Sequence, residues 1–97
     1  MYYAVIFTSE RTAIEEGYVE MAVLMEELAK KQEGFLGVES ARSEIGITVS
    51  YWKDLESIKK WKQNIEHLVA QQKGRIDWYK SYTTRICLVE REYSFKK

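Results

Sequence analysis

The 97-residue chain has no proline, a single cysteine and a single histidine. Cys87 cannot form an internal disulfide, so we expect a reducing, cytoplasmic setting and stability that comes mainly from hydrophobic burial. The longest uninterrupted apolar run, Met21–Met25, is far below the roughly 20 residues that cross a bilayer, and no basic segment precedes an apolar one at the N-terminus. We therefore expect no membrane association and a single domain, residues 1–97.

The chain also has no excess of positive or negative charge. Fifteen lysines and arginines balance 15 aspartates and glutamates, for a formal net charge of +0. Sequence-independent binding of nucleic acid depends on attraction to the phosphates, which such a balance does not provide. The composition therefore disfavours a nucleic-acid partner.

Aromatic residues, in contrast, are abundant. Three tryptophans, seven tyrosines and three phenylalanines make up 13% of the chain. A folded monomer of this size buries only about 60 to 65% of the surface of its extended chain. The segments that resemble strands carry more apolar surface than two helices can cover, so a second subunit is the simplest cover and we expect a homodimer.

Alternating and helical patterns divide the chain into six elements. The predicted strands are Tyr2–Thr8, Phe35–Ser43, Ile47–Lys53 and Ser81–Phe95. In the last strand we expect one face to carry Tyr82, Thr84, Ile86 and Leu88, and the other to carry Thr83, Arg85, Cys87 and Val89. The predicted helices run from about Thr12 to Lys31, with Ile14 on the inward apolar stripe, and from Asp54 to Gly74, followed by a short helical turn at Arg75–Lys80. The Asp54 carboxylate can cap the second helix, and Gly34 stands where the chain needs a left-handed residue after the first.

The order of these elements is βαββαβ, which predicts an α+β fold: a ferredoxin-like sandwich with an antiparallel four-stranded sheet. Both helices then cover one face of the sheet, and the other face, which is also apolar, must meet another surface. The RNA recognition motif shares this order. Its third strand carries a basic-glycine-aromatic pattern, whereas this chain has GITVSYWK there, so the pattern again indicates no nucleic acid.

Few residues are suited to acid-base or metal chemistry. Histidine is the side chain whose ordinary pKa lies near neutrality, and His67 is the single one. On an ideal helix it points away from the apolar stripe around Ile65 and toward solvent. His67 and Cys87 lack the spacing of metal ligands, and the mid-strand position of Cys87 is typical of a small buried apolar residue. We expect no metal.

Tryptophans surround the second helix. Trp61 lies on its inward stripe, and Trp52 and Trp78 bracket it in sequence. They can serve as core residues, each needing a partner for its indole N–H. They can also form the wall of a flat apolar pocket between sheet and helix, in which an aromatic molecule stacks.

One long stretch, YWKDLESIKKWKQNIEHLVAQQKGRIDWYKSY followed by TTRICLVEREYSF, resembles the antibiotic biosynthesis monooxygenase domain family, within the dimeric α+β barrel type. The resemblance covers nearly the whole chain and is strongest to bacterial members without an assigned activity. It implies a homodimer in which two sheets pack face to face. It also implies oxygenation of an aromatic phenol or quinol by O₂ without metal, flavin or other cofactor.

The resemblance assigns roles to several residues. Trp61 and His67 match the family's active-site positions on the second helix, and His67 would be the base that removes the phenolic proton. Trp52 would form a stacking wall, and Arg75 or Arg85 would stabilise an anion. The other candidate substrate-binding residues are Trp78 and Tyr51.

Two other functions stay open. One is a small-molecule-binding or stress-associated homodimer without turnover. The other is a haem-binding or haem-degrading protein. The haem-degrading branch has an asparagine on the first strand and a late histidine on the second helix, where this chain has Thr8 or Ser9 and Gln71 or Gln72. The resemblance therefore does not imply haem cleavage. If His67 is solvated on the outer surface of the helix, binding without turnover is the better interpretation.

Overall fold

Strands and helices follow one another in the order that the sequence predicts. The computed structural model describes the backbone of residues 1–71 and 78–97 and the side chains of residues 1–68 and 78–97. Its elements are β1 (Tyr2–Arg11), α1 (Tyr18–Lys30), β2 (Phe35–Arg42), β3 (Gly46–Trp52), α2 (Leu55–Gln71) and β4 (Tyr79–Val89). The four strands form one sheet in the order β2-β3-β1-β4 with antiparallel neighbours, which confirms the ferredoxin-like α+β fold.

The register of the sheet decides which side chains share a face. Val5 of β1 lies opposite Ser50 of β3 and Ile86 of β4. Because side chains alternate along a strand, each such row stays on one side of the sheet. The face that the helices cover carries Tyr3, Val5, Phe7 and Ser9 of β1, Trp52, Ser50, Thr48 and Gly46 of β3, and Leu88, Ile86, Thr84 and Tyr82 of β4. The predicted grouping of the β4 residues is thus correct.

A small apolar core joins this face to both helices. Its buried members are Val5, Ala29 of α1, Trp52 and Ile58 of α2. The partly buried rings packed against it belong to Tyr3, Phe35 and Trp61. Trp52 has no exposed surface at all, so β3 contributes the largest side chain in the core. The core therefore lies toward the β2-β3 side of the sheet, between the two helices.

The start of α2 matches its sequence signal. The Asp54 carboxylate accepts a hydrogen bond from the backbone N–H of Ser57 at 2.8 Å, so Asp54 caps the helix as predicted. The hydrogen bonds from Ser57 also hold the pKa of the Asp54 carboxyl below its usual value. Gly34 lies nearby with φ of 90°, and its carbonyl accepts the Lys53 N–H at 2.7 Å. The predicted left-handed residue is therefore in place.

The first helix starts later than the apolar spacing predicts. The expected start at about Thr12 is wrong, because α1 begins at Tyr18. Gly17 precedes it with φ of 79°, a conformation that interrupts a right-handed helix. Ile14, which the spacing assigned to the inward stripe, is 46% exposed, and its carbonyl accepts a hydrogen bond from Arg11.

The last strand is also displaced from its predicted limits. It runs over Tyr79–Val89 instead of Ser81–Phe95. Tyr2, the first residue of β1, pairs with Val89, so the ladder between the two strands ends there. A helical turn was predicted at Arg75–Lys80. The prediction is wrong for Tyr79 and Lys80, which belong to β4. Residues 75–77 of the predicted turn lie outside the described residues.

The second face of the sheet bears apolar and polar side chains that neither helix covers. Its rows include Tyr2, Ala4, Ile6 and Thr8 of β1, Tyr51, Val49 and Ile47 of β3, and Val89, Cys87, Arg85 and Thr83 of β4. Ile47 is 45% exposed. The Tyr51 hydroxyl donates to a Glu39 carboxylate oxygen at 2.7 Å. Among residues 1–71 and 78–97, no helix has the length and apolar character to cross a membrane.

Candidate functional site

Two tryptophans meet where α2 crosses the end of β3. The ring centroids of Trp52 and Trp61 are 4.9 Å apart, and the ring planes are tilted by 33°. Phe35 adds a third ring edge-on to Trp52, at 5.5 Å. The capping of α2 by Asp54 places the second turn of the helix, and with it Trp61, above the sheet. These rings form one aromatic cluster on the helix-covered face, in which Trp52 is fully buried and Trp61 and Phe35 are partly exposed.

The two indole N–H groups of this pair differ. The Trp52 Nε1–H donates to the Ser50 hydroxyl at 2.9 Å, within the same strand. The Trp61 Nε1 is buried and has no hydrogen-bond partner among the described residues. A buried donor without a partner costs about 1–3 kcal/mol, since it has given up its bond to water. An acceptor oxygen on a bound molecule would recover that cost.

His67 lies on a different side of α2. It is exposed, as the helical periodicity predicts. Trp61 precedes it by six positions, which corresponds to a rotation of about 240° around the helix axis. Leu68 follows Trp61 by about two helical turns, so it lies on the same side of α2, and it is partly buried. The helix therefore presents Trp61 to the core and His67 away from it.

Trp78 belongs to a second aromatic cluster. Its ring is 4% exposed, and its Nε1–H donates to the Glu16 carbonyl at 2.7 Å. It packs edge-on against Tyr18 at 5.9 Å, and Tyr18 in turn meets Tyr79 at 6.1 Å. Trp78 thus anchors the start of α1 to the start of β4 and makes no ring contact with Trp52 or Trp61 in the described structure.

Two further predicted site residues, Tyr51 and Arg85, do not lie beside Trp61. Tyr51 and Arg85 are on the second face, opposite Ala4 and Ile6 respectively, so the sheet separates them from the tryptophan pair. Arg75 lies outside the described residues. Of the predicted site residues that the structure describes, it brings Trp52 and Trp61 together within one chain.

An arginine and tyrosine cluster was missed by the sequence analysis. The Arg11 guanidinium carbon lies 3.4 Å from the centroid of the Tyr18 ring. Burial and the neighbouring Tyr18 hydroxyl raise the pKa of Tyr79 to about 12, and the positive charges of Arg42 and Arg11 oppose that rise. The alternation of β1 continues through Ser9 to Arg11, so extending the predicted strand past Thr8 would have placed this arginine on the inner face.

The part of the chain that the structure describes contains no evident metal-binding site. Among residues 1–71 and 78–97, no group of three His, Cys, Asp or Glu side chains is placed to hold a metal ion. Cys87 is a free thiol of intermediate exposure on the second face.

Comparison with known proteins decides the family. The model of the family described as monooxygenase af470-like matches residues 6–86. The chain belongs to this family. It is similar to the Bacillus subtilis protein YqjZ, with 47% identity over 98 residues that cover 99% of this chain and 86% of that protein. The resemblance to the antibiotic biosynthesis monooxygenases found in the sequence is thereby confirmed.

Solved structures show how widely this monooxygenase-like fold is shared. A mutant of SnoaB, a cofactor-independent oxygenase from Streptomyces nogalater, superposes with a TM-score of 0.76 at 8% identity, covering 94% of this chain and 95% of that one. A Nitrosomonas europaea protein classed with the antibiotic biosynthesis monooxygenases gives 0.73 at 14%, covering 89% and 88%. A mutant of MhuD with two manganese protoporphyrin IX molecules per active site gives 0.68 at 17%, covering 96% and 99%. Identities this low show a common fold alone.

Proposed function

We propose that this chain is a cofactor-independent monooxygenase that acts on a flat aromatic phenol or quinol bound beside Trp61. The observation that carries the proposal is the buried Nε1–H of Trp61, which has no hydrogen-bond partner in the described part of the chain. A phenol or quinol offers both an oxygen that accepts this hydrogen bond and a ring that stacks on the partly exposed rings of this cluster, Trp61 and Phe35. Pockets for small molecules combine apolar walls with few polar groups in this way.

The reaction follows from the chemistry of an electron-rich ring. A base removes the phenolic proton, and the phenolate transfers one electron to O₂, which leaves a ring radical and superoxide. Their combination forms a carbon-oxygen bond, and loss of water then gives a carbonyl. For anthrone, one oxygen atom becomes the new carbonyl and the other leaves as water with the two hydrogens of the CH₂ group. O₂ is the sole oxidant, and an apolar pocket protects the radical pair from water.

His67 is the proposed base because histidine has an ordinary pKa near neutrality. Its exposed position on α2 gives it less geometric support than Trp61 has, so a substrate that contacts both must extend from the core to the outer edge of the helix. Arg75 and Trp78 stay proposed substrate-binding residues. Tyr51 and Arg85 can contribute only on the second face, where we propose that a second copy of the chain packs to form a homodimer.

The test is oxygen consumption by the metal-free protein. Chelator-treated protein is incubated with anthrone in air-saturated buffer, and the rate without protein is subtracted. We expect turnover, and we expect Trp61→Phe, which keeps a ring but removes the N–H, to raise KM about ten-fold. The exposed neighbour Lys62→Ala is the matched control and keeps the wild-type rate. An uptake rate equal to the background contradicts the proposal.

The base is tested separately. His67→Ala is compared with Gln63→Ala, an exposed change one turn earlier on α2. If His67 is the base, only the first variant loses activity. Unchanged activity in His67→Ala removes this residue from the mechanism.

The exposure of His67 favours a second candidate function, the binding of a small aromatic molecule without turnover. In that case anthrone or a quinol binds to the protein, Trp61→Phe weakens binding, and no oxygen is consumed. A haemin titration separates the haem-binding alternative, since a shift of the Soret band in the wild type that is lost in His67→Ala indicates haem ligation by this residue.

A further inference from the structure

Two arginines, Arg11 and Arg42, lie at the end of the helix-covered face that is remote from Trp52. Arg42 of β2 lies opposite Gly46 of β3, and Gly46 lies opposite Ser9 of β1. Gly46 and Trp52 are the two ends of β3, about 20 Å apart at the rise of an extended strand. This end of the sheet is therefore a separate location from the tryptophan pair.

The sheet itself fixes the position of the Arg42 guanidinium. The Nη2 group donates to the Ser9 hydroxyl at 2.6 Å, so the side chain crosses over β3 to reach β1. It can do so because Gly46 has no side chain: a Cβ at that position would overlap the guanidinium. Ser9 is 3% exposed, so the far end of Arg42 rests on a buried acceptor.

Arg11 supplies the second guanidinium. Its flat face covers the Tyr18 ring at 3.4 Å, and its Nη2 donates to the Ile14 carbonyl at 3.0 Å. Its Nε is buried and has no hydrogen-bond partner among the described residues. Cation-ring stacking fixes the plane of the group, and the orphaned Nε–H leaves one donor to be satisfied by a molecule from outside.

The positive charges of both arginines affect the same residue, Tyr79. Tyr79 is partly buried, and the positive charges of Arg42 and Arg11 both oppose the rise in the pKa of its hydroxyl. Ion pairs in the described part of the chain join Lys30 to Glu26 and Arg91 to Glu90. Neither Arg11 nor Arg42 meets a carboxylate within the residues described, so this end of the sheet concentrates positive charge.

Aromatic rings border this charge. Tyr82 lies directly across from Ser9, and its ring is 5.4 Å from that of Phe7 with a tilt of 30°. Tyr82 is 63% exposed, so one side of its ring is open to a flat molecule. The Tyr79 ring, 5.8 Å from Tyr82, continues this aromatic wall toward Arg11.

We propose that Arg11, Arg42 and the Tyr82 ring form a binding site for an aromatic carboxylate. The carboxylate accepts hydrogen bonds from the two guanidinium groups, which match its planar geometry, and the ring stacks on Tyr82. Arg42 retains its bond to Ser9 through one nitrogen and has further donors for the ligand. This site does not depend on oxygenase activity, because it uses none of the residues beside Trp61.

Calorimetric titration with benzoate tests the site. Benzyl alcohol has the same ring without the charge, and inorganic phosphate has charge without a ring. We expect benzoate to bind at least about ten-fold more tightly than either, because charged hydrogen bonds and ring stacking both contribute. If benzyl alcohol binds as tightly as benzoate, the arginines do not contribute to binding. If phosphate binds as tightly as benzoate, the Tyr82 ring does not contribute. Either result overturns the proposal.

Three variants localise the binding. Arg42→Gln is expected to weaken benzoate binding about ten-fold or more. Gly46→Ala keeps both arginines but displaces the Arg42 guanidinium, and we expect a similar loss. Arg91→Gln removes the same charge at an exposed position and is expected to bind like the wild type. Wild-type affinity in Arg42→Gln or Gly46→Ala, with folding verified by circular dichroism, overturns the assignment.

Discussion

Trp52 and Trp61 share one aromatic contact at 4.9 Å, but only Trp52 has an acceptor for its indole N–H within the described structure. The first is a core residue in every respect, since it is fully buried and bonded to its own strand. The second places an unsatisfied donor beside the same core. This difference fits a structural role for Trp52 and the proposed binding role for Trp61.

The two tryptophans should respond differently to the same substitution. Trp52→Phe removes buried ring volume and a satisfied hydrogen bond, so we expect a loss of about 1–3 kcal/mol in the free energy of unfolding. Trp61→Phe deletes a donor that has no partner, which offsets part of the lost volume, and we expect a change below about 1 kcal/mol. Urea denaturation of both variants measures the difference. A larger loss for Trp61→Phe would show that its N–H is satisfied within the chain.

Gly34 should not tolerate a side chain. Its φ of 90° is costly for other residues, and a Cβ there would overlap the Ser57 side chain at the start of α2. We expect Gly34→Ala to lose at least about 1–2 kcal/mol of stability. Gly37→Ala is the control, because its nearest neighbour is Tyr51 at 4.0 Å and its φ is ordinary. Thermal unfolding that shifts equally in both variants would contradict the prediction.

The cap of α2 should make stability depend on acid. Because the folded pKa of Asp54 is lowered, its stabilising contribution is present above the ordinary carboxyl pKa and is lost as the pH falls through the folded value. We expect Asp54→Ala to lower the unfolding temperature at neutral pH and to change it little at strongly acidic pH. Asp54→Ser, which keeps an acceptor without the charge, should retain most of the stability and lose the pH dependence. Unfolding curves at several pH values provide the measurement.

The second face of the sheet should hold the proposed homodimer together. Val49 lies opposite Ile6 near the middle of this face, so Val49→Lys places a charge where the partner sheet would pack. We expect the wild type to sediment at twice the 11.5 kDa of the chain, and the variant to sediment as a monomer. Val23→Lys, at an exposed position of α1, is the control and stays dimeric. A wild-type protein that sediments as a monomer at micromolar concentration would contradict the proposed homodimer.

Local patterns were sufficient to predict most of the fold. The alternation in the strands and the stripe of α2 follow directly from the two periods of side-chain direction, so the element order and the shared face of Ile86 and Leu88 emerged correctly. The same rule predicted the exposure of His67. The start of α1 was wrong because Ile14 has helical spacing from Tyr18, while Gly17 between them adopts a left-handed conformation that spacing does not reveal.

The arginine cluster depends on information that is not local. Arg11 and Arg42 are far apart in sequence, and they reach the same end of the sheet only through the register that pairs Arg42 with Gly46 and Gly46 with Ser9. Predicting it requires the correct length of β1 and the correct pairing of three strands. The contact between Trp52 and Trp61 is closer to a sequence prediction, since the inward stripe already aimed Trp61 at the sheet. The missing partner of its N–H is visible only in the packed structure.

Successive side chains of β1 point to opposite faces of the sheet, so this strand contributes to both faces. In β1 the odd-numbered positions, such as Val5 and Phe7, turn toward the helices and any pocket beneath them, whereas Ala4 and Ile6 turn toward the uncovered side. Relatives that keep the same chemistry but change their assembly should therefore differ at even positions, and relatives that change ligand should differ at odd ones. A single strand of ten residues thus allows the two properties to diverge independently.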